Sequence, residues 1–169
     1  MEAMETILGR RSIRKYSDEP VTDAQLKRLL EAGMAAPSAH NKQPWHFIVV
    51  RDRATLLQIP KFHMYSKMLE QAALAIIVCG DLEAEGGTGF WVQDCSAATQ
   101  NILLAAKATG LGAVWLGVYP NEALVKGLKG LLGIPEKVMP LCIISVGHPL
   151  EEKPPGNRYR DDRVHAGKW

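Results

Sequence analysis

Apolar positions change their period several times along the chain, and each change marks an element. Thr22-Asp-Ala-Gln25 has the spacing of a capping box and opens a helix whose recurring face carries Leu26, Leu29, Leu30 and Gly33. The helix is expected to stop before Pro37, because a proline drives the residue before it out of the helical region. Trp45 to Val50 is an apolar run of aromatic and β-branched residues, which predicts a buried strand. Similar runs predict strands at Leu74 to Val78, ending at Gly80, at Ala113 to Gly117 and at Leu141 to Val146. Phe90 to Thr109 is the longest helical candidate: Trp91, Cys95, Ala98, Ile102, Ala105 and Ala106 recur at helical spacing, and Gly110 offers a C-cap. Gln93, Asp94, Gln100, Asn101 and Lys107 are its few polar members, so it is expected to be buried, either at a domain centre or between subunits. Asn121 caps a helix to about Leu132, and Met4 to Gly9 reads as a short helix leading into an extended basic stretch, Arg10 to Tyr16. The pattern predicts an α+β fold with a mixed sheet packed by helices.

After Gly147 the periodicity ends. Residues 148–169 are rich in Pro, Lys, Glu, Asp and Arg, as in a disordered tail, yet they contain Tyr159 and Val164 and close on Trp169. An arm wrapping a partner subunit accounts for both features. The 169 residues are expected to form one domain, long enough to bury roughly 70% of the surface an unfolded chain exposes. A net charge of +2 is too small to make nucleic acid or an acidic membrane the main partner. The N-terminal residues Met1 to Thr6 carry two glutamates and no apolar run, unlike a signal peptide. No apolar stretch reaches the roughly 18 to 20 residues of a membrane span. Cys79, Cys95 and Cys142 sit in apolar surroundings without a C-x-x-C pair, which suits reduced core cysteines. A cytoplasmic location is expected.

Familiar site patterns are missing: no dinucleotide-binding or P-loop glycine motif, no G-x-S-x-G elbow and no H-E-x-x-H helix. His40, His46 and His63 lack metal-ligand spacing, and no metal is expected. Gly127, Gly130 and Gly133 suggest a phosphate cradle, but inside or just after a helix they are better read as close packing or a helix stop.

Two segments remain. In the extended stretch alternate residues share a face, so Arg10, Ser12 and Arg14 present two guanidinium groups and a hydroxyl, suited to a phosphate and a second anionic or carbonyl group. A solvated basic turn is the alternative. In Ala36-Pro-Ser-Ala-His-Asn-Lys-Gln-Pro-Trp45, two prolines stiffen a loop that offers Ser38, Asn41 and Gln43 to a planar polar ligand. A plain helix-to-strand turn with Trp45 as core anchor is the alternative.

Taken in order, R-R-S-x-R-x-Y, a capped helix and A-P-S-x-x-N-x-Q-P-W-x-F closely resemble the nitroreductase family of flavin oxidoreductases. The similarity continues through Ser66-Lys-Met-Leu-Glu70, Leu111-Gly-Ala-Val-Trp-Leu-Gly117, Gly147-His-Pro and Asn157-Arg-Tyr159, and so spans the chain as a compact member. The resemblance implies an intertwined homodimer with exchanged C-terminal arms and FMN at the subunit interface. By it, Arg10, Arg11 and Ser12 hold the phosphate with Arg158 and Arg160, while Arg14 sits near N1 and the C2 carbonyl. Pro37, Ser38, Asn41 and Gln43 come from the other subunit. Leu116 and Gly117 lie against the ring, with a backbone N–H at N5. It further implies ping-pong hydride transfer from NADH or NADPH to a nitroaromatic, a quinone or a similar small acceptor. The glycine-rich region 83–89 stands where larger relatives have substrate-shaping helices; Phe90 and Trp91 either border the pocket or belong to the core. Other readings are a specialised, dehalogenase-like reductase and a flavin-binding or storage module.

Overall fold

A computed structural model describes residues 2–169; Met1, part of the N-terminal stretch read above, lies outside them. Four strands, β1 (Trp45–Val50), β2 (Leu74–Asp81), β3 (Gly112–Gly117) and β4 (Val138–Gly147), form one sheet in the order β1-β2-β4-β3. Each neighbouring pair is antiparallel. The mixed character expected from the sequence is confined to a single parallel bridge, Ser12 to Ala113, on the outer edge of β3.

The two central strands are apolar on both faces because both faces are covered. Leu74, Ile76 and Val78 of β2 pack on one side against α2 (Asp23–Met34) and α5 (Trp91–Ala108). Ala75, Ile77 and Cys79 join the opposite cluster with Leu56 of α3 (Arg53–Leu56) and Leu128 of α6 (Glu122–Leu132). The capping box at α2 forms in full: the Gln25 amide donates to Thr22 Oγ1 at 3.2 Å, and the Thr22 amide donates to Gln25 Oε1 at 2.8 Å.

The long helix α5 is one residue shorter at each end than its pattern suggests, and Gln93 and Gln100 of its polar minority face solvent. The helices α1 (Ala3–Gly9) and α6 fall close to where they were read, and Asn121 caps α6 with its side chain. Two one-turn helices, α3 and α4 (Leu82–Glu85), were not legible, because four residues are too few to display a period. Asp52 and Asp81 cap them. Of Gly127, Gly130 and Gly133, Gly127 lies where an added Cβ would meet the Phe62 ring at 2.7 Å, and Gly133 caps the end of α6 at φ 64°. They serve packing and termination. The three cysteines are buried and free, and burial pushes each thiol up to about 12.

Candidate functional site

The site is built on the exposed edge of β3. The Ile13 amide donates to the Ala113 carbonyl at 3.1 Å, which docks the extended Arg10 to Tyr16 segment against that edge. In an antiparallel strand alternate residues turn both backbone polar groups the same way. Ala113, Trp115 and Gly117 therefore direct theirs outward, away from β4. Gly117, the last of them, faces an open cleft of about 700 Å³ whose lining includes Arg14, His63, Tyr65, Lys67, Trp115 and Gly117. A Cβ added to Gly117 would meet nothing within 4 Å, so the absent side chain leaves room for a ligand. The cleft volume is in the range of small-molecule sites.

Cations converge just beyond this edge. Arg10 is packed beside Arg11 and Arg158, and burial, followed by the charges of Arg158 and Arg11, lowers its pKa. Three guanidinium groups gathered this way favour an anion. Arg11 is partly committed, donating from Nε to the Pro154 carbonyl at 2.8 Å and from Nη1 to the Leu8 carbonyl at 2.9 Å; its Nη2 is buried with no partner. Lys153 Nζ donates to the Ser12 carbonyl at 2.7 Å. Glu151 accepts the Arg14 amide at 2.6 Å, and that bond, with help from Lys153, holds its carboxyl below the usual glutamate range. Arg160 instead turns both Nε and Nη2 to Asp162, each at 3.0 Å. Of the two C-terminal arginines, Arg158 is the one brought to Arg10.

The second predicted segment lies elsewhere in the chain. His40, Asn41 and Gln43 adopt left-handed backbone at φ 51°, 54° and 48°, a conformation that costs non-glycine residues energy. The loop is held by the Gln43 amide donating to Ser38 Oγ at 2.9 Å and by Gln43 Nε2 donating to Asn41 Oδ1 at 2.9 Å. A third tie runs from the Ala39 amide to Asp94 Oδ1 at 3.0 Å. None of Pro37, Ser38, Asn41 or Gln43 lines the cleft, so one chain divides the predicted set in two.

Lys67, His63 and Tyr65 line the cleft without having been assigned to it from the sequence. Lys67 borders the cleft near Arg14; its only signal in the sequence is its place in Ser66-Lys-Met-Leu-Glu70. His63 is 3% exposed, with Nε2 at 2.9 Å from the Gly117 carbonyl, a pairing across 54 positions that no local pattern signals. Leu116 is buried and lines the cleft, whereas Trp91 belongs to the core and stacks edge-on with Tyr119 at 4.9 Å. Among the described residues no group of three or more His, Cys, Asp or Glu side chains is arranged to hold a metal, and no helix is long and apolar enough to cross a membrane.

Residues 7–64 and 61–148 match the model of the Nitroreductase family. A protein of Methanothermobacter thermautotrophicus, provisionally named NADH dehydrogenase/NAD(P)H nitroreductase, is 52% identical, covering 100% of this chain and 88% of its own. The FMN-dependent nitroreductase of Clostridium difficile superposes with a TM-score of 0.88 at 32% identity, over 98% of this chain and 99% of its own. A Desulfovibrio desulfuricans protein solved in complex with FMN gives a TM-score of 0.86 at 33% identity, over 100% of this chain and 98% of its own.

Proposed function

The chain belongs to the nitroreductase family, and on that premise we propose that it is an FMN-dependent NAD(P)H oxidoreductase acting as a homodimer on small acceptors such as nitroaromatics or quinones. The observation that carries this reading is the open cleft in which Arg14 and Lys67 flank the outward backbone edge ending at Gly117.

The residues fit the cofactor part by part. Arg10 and Arg158, with Arg11 and Ser12 nearby, suit a phosphate group, because their crowded positive charge gains from an anion. Arg14, with Lys67 beside the same cleft, offers cations to the edge of a ring that gains negative charge on reduction. The Gly117 amide, on the outward side of β3, would be the backbone donor to the flavin ring; Leu116 turns its own amide inward to β4 and would supply apolar surface instead. FMN, when bound, would supply the redox chemistry between NAD(P)H and the acceptor. No acid–base residue is needed beyond that.

A second subunit completes the site. Pro37, Ser38, Asn41 and Gln43, remote from their own chain's cleft, are available to the partner's. The tail supports the same reading. Residues 152–169 are exposed throughout, with Tyr159 at 71%, Val164 at 63% and Trp169 fully accessible, which an arm seated on a partner would bury. Met4, Ile7 and Leu8 of α1 add exposed apolar surface.

The test is an absorbance spectrum of the purified protein before and after anaerobic addition of NADH or NADPH. A flavin band that bleaches supports the reading; a spectrum without flavin that stays unchanged after FMN is supplied refutes it.

A further inference from the structure

We propose that His63 is a positioning residue for flavin reduction, holding the Gly117 peptide so that its amide meets the cofactor; this rests on the function proposed above. Gly117 is the last residue of an edge strand, and beyond it the chain turns away at Val118 and Tyr119, whose amides both donate to the Leu141 carbonyl at 3.1 and 3.0 Å. Its outward carbonyl has no neighbouring strand to pair with. His63 fills that role: Nε2 lies at 2.9 Å from the Gly117 oxygen. A carbonyl only accepts, so Nε2 is the ring nitrogen that must carry a proton for this bond.

The ring cannot easily be anywhere else. His63 is 3% exposed, and its own carbonyl is bound by the Ser66 hydroxyl at 2.7 Å and the Ser66 amide at 3.0 Å. The Ser66 side chain is itself fully buried. The turn leading to Lys67 therefore holds the His63 backbone, from which the buried imidazole reaches the carbonyl at the strand end. The Gly117 carbonyl and amide face the same side of β3 but belong to successive peptide planes joined at the Gly117 Cα, so fixing the carbonyl limits the rotations about that glycine which set the direction of the amide. A glycine needs this more than other residues do, since it has no Cβ to limit its backbone and here has open space on its side-chain face. Misplacing a donor near a reacting centre by a fraction of an ångström is enough to lose rate.

The buried Nδ1 has no hydrogen-bond partner among the described residues. A plain packing role for a ring in this apolar cluster would be served as well by phenylalanine, and the experiment separates the two roles.

The test uses wild-type holoenzyme with the variants His63→Phe and His63→Gln. Glutamine places an N–H close to where Nε2 stands; phenylalanine keeps the bulk and removes the donor. His63→Phe is expected to bind FMN but to be reduced by NADH or NADPH about tenfold more slowly, with His63→Gln recovering most of the rate. The second readout needs no turnover: ¹⁵N spectra of the wild-type imidazole are expected to show the Nε2–H tautomer. Equal reduction rates in wild type and His63→Phe, both with FMN bound, overturn the proposal. So does an Nδ1–H tautomer, even if both variants fail to fold. Wild-type protein that takes up no FMN overturns the functional reading itself, and the positioning role falls with it.

Discussion

Asp94, from the first turn of α5, accepts the backbone amide of Ala39 at 3.0 Å and so ties the central helix to the left-handed loop that carries Ser38, Asn41 and Gln43. The carboxylate is 6% exposed, and its second oxygen is buried without a partner among the described residues. Removing it should free a loop that already stores backbone strain. Asp94→Ala is expected to cost about 1–2 kcal/mol in denaturant unfolding and to speed amide exchange from Ala39 to Gln43. Asp94→Asn, which keeps an acceptor, should recover most of both. Unchanged exchange in Asp94→Ala would show that the bond does not hold the loop.

Arg10 and Arg14 sit four positions apart on one strand-like segment yet serve different concavities, one shared with Arg11 and Lys153, the other with Lys67 and Gly117. Arg10→Ala should weaken FMN affinity roughly ten- to a hundredfold, the worth of a charged hydrogen bond to phosphate. Arg14→Ala should also slow reduction of the bound flavin, by about tenfold. Fluorescence titration and stopped-flow bleaching measure the two effects separately, and identical behaviour in both variants would contradict the division.

Glycines at Gly80 and Gly117 should answer substitution in opposite ways. At Gly80 an added Cβ would come within 2.5 Å of Cε3 of the Trp91 ring, a rigid neighbour in the core. Gly80→Ala is expected to lower stability by about 1–3 kcal/mol. Gly117→Val puts its side chain into empty space and should leave the melting temperature within a few degrees while reducing FMN uptake. Thermal melts of the apoproteins paired with FMN titrations check both.

Glu85, 3% exposed, accepts from the Thr88 hydroxyl at 2.6 Å and from the Phe90 and Gly87 amides, each at 2.8 Å. The Thr88 bond foremost, then those amides, hold its carboxyl below the usual range against the opposing effect of burial. A depressed carboxyl stabilises the fold above the unfolded-state value, about 4.3, and that stabilisation is lost as pH falls below it. Between neutral pH and about pH 3, the stability of wild type should therefore decline more steeply than that of Glu85→Gln. Parallel urea-midpoint curves would rule this out.

Thiol chemistry offers a simple control on the core. With burial holding Cys79, Cys95 and Cys142 up to about 12, hardly any thiolate exists near neutral pH. A thiol reagent at pH 8 should find no reactive cysteine in the native protein and three after unfolding. Rapid labelling of the folded chain would mean that the sheet opens.

What the sequence by itself determined was everything carried by a local period or a local motif. Four apolar runs became the four strands, the Thr22–Gln25 capping box closed as written, and α5 followed from eighteen residues of helical spacing. The basic segment and the proline-flanked loop could also be picked out, because their residue types are unusual together. Tertiary structure decided the rest. Strand order β1-β2-β4-β3 places β3 at an edge, and only an edge leaves Gly117 with backbone groups to offer. It brought Arg158 to Arg10 and turned Arg160 to Asp162, a choice between two similar residues that spacing left open. It also set His63 against Gly117 across 54 positions. Periodicity reports which way a residue faces within its own element, whereas these pairings depend on which elements become neighbours, and that is settled by how the two faces of the sheet are covered.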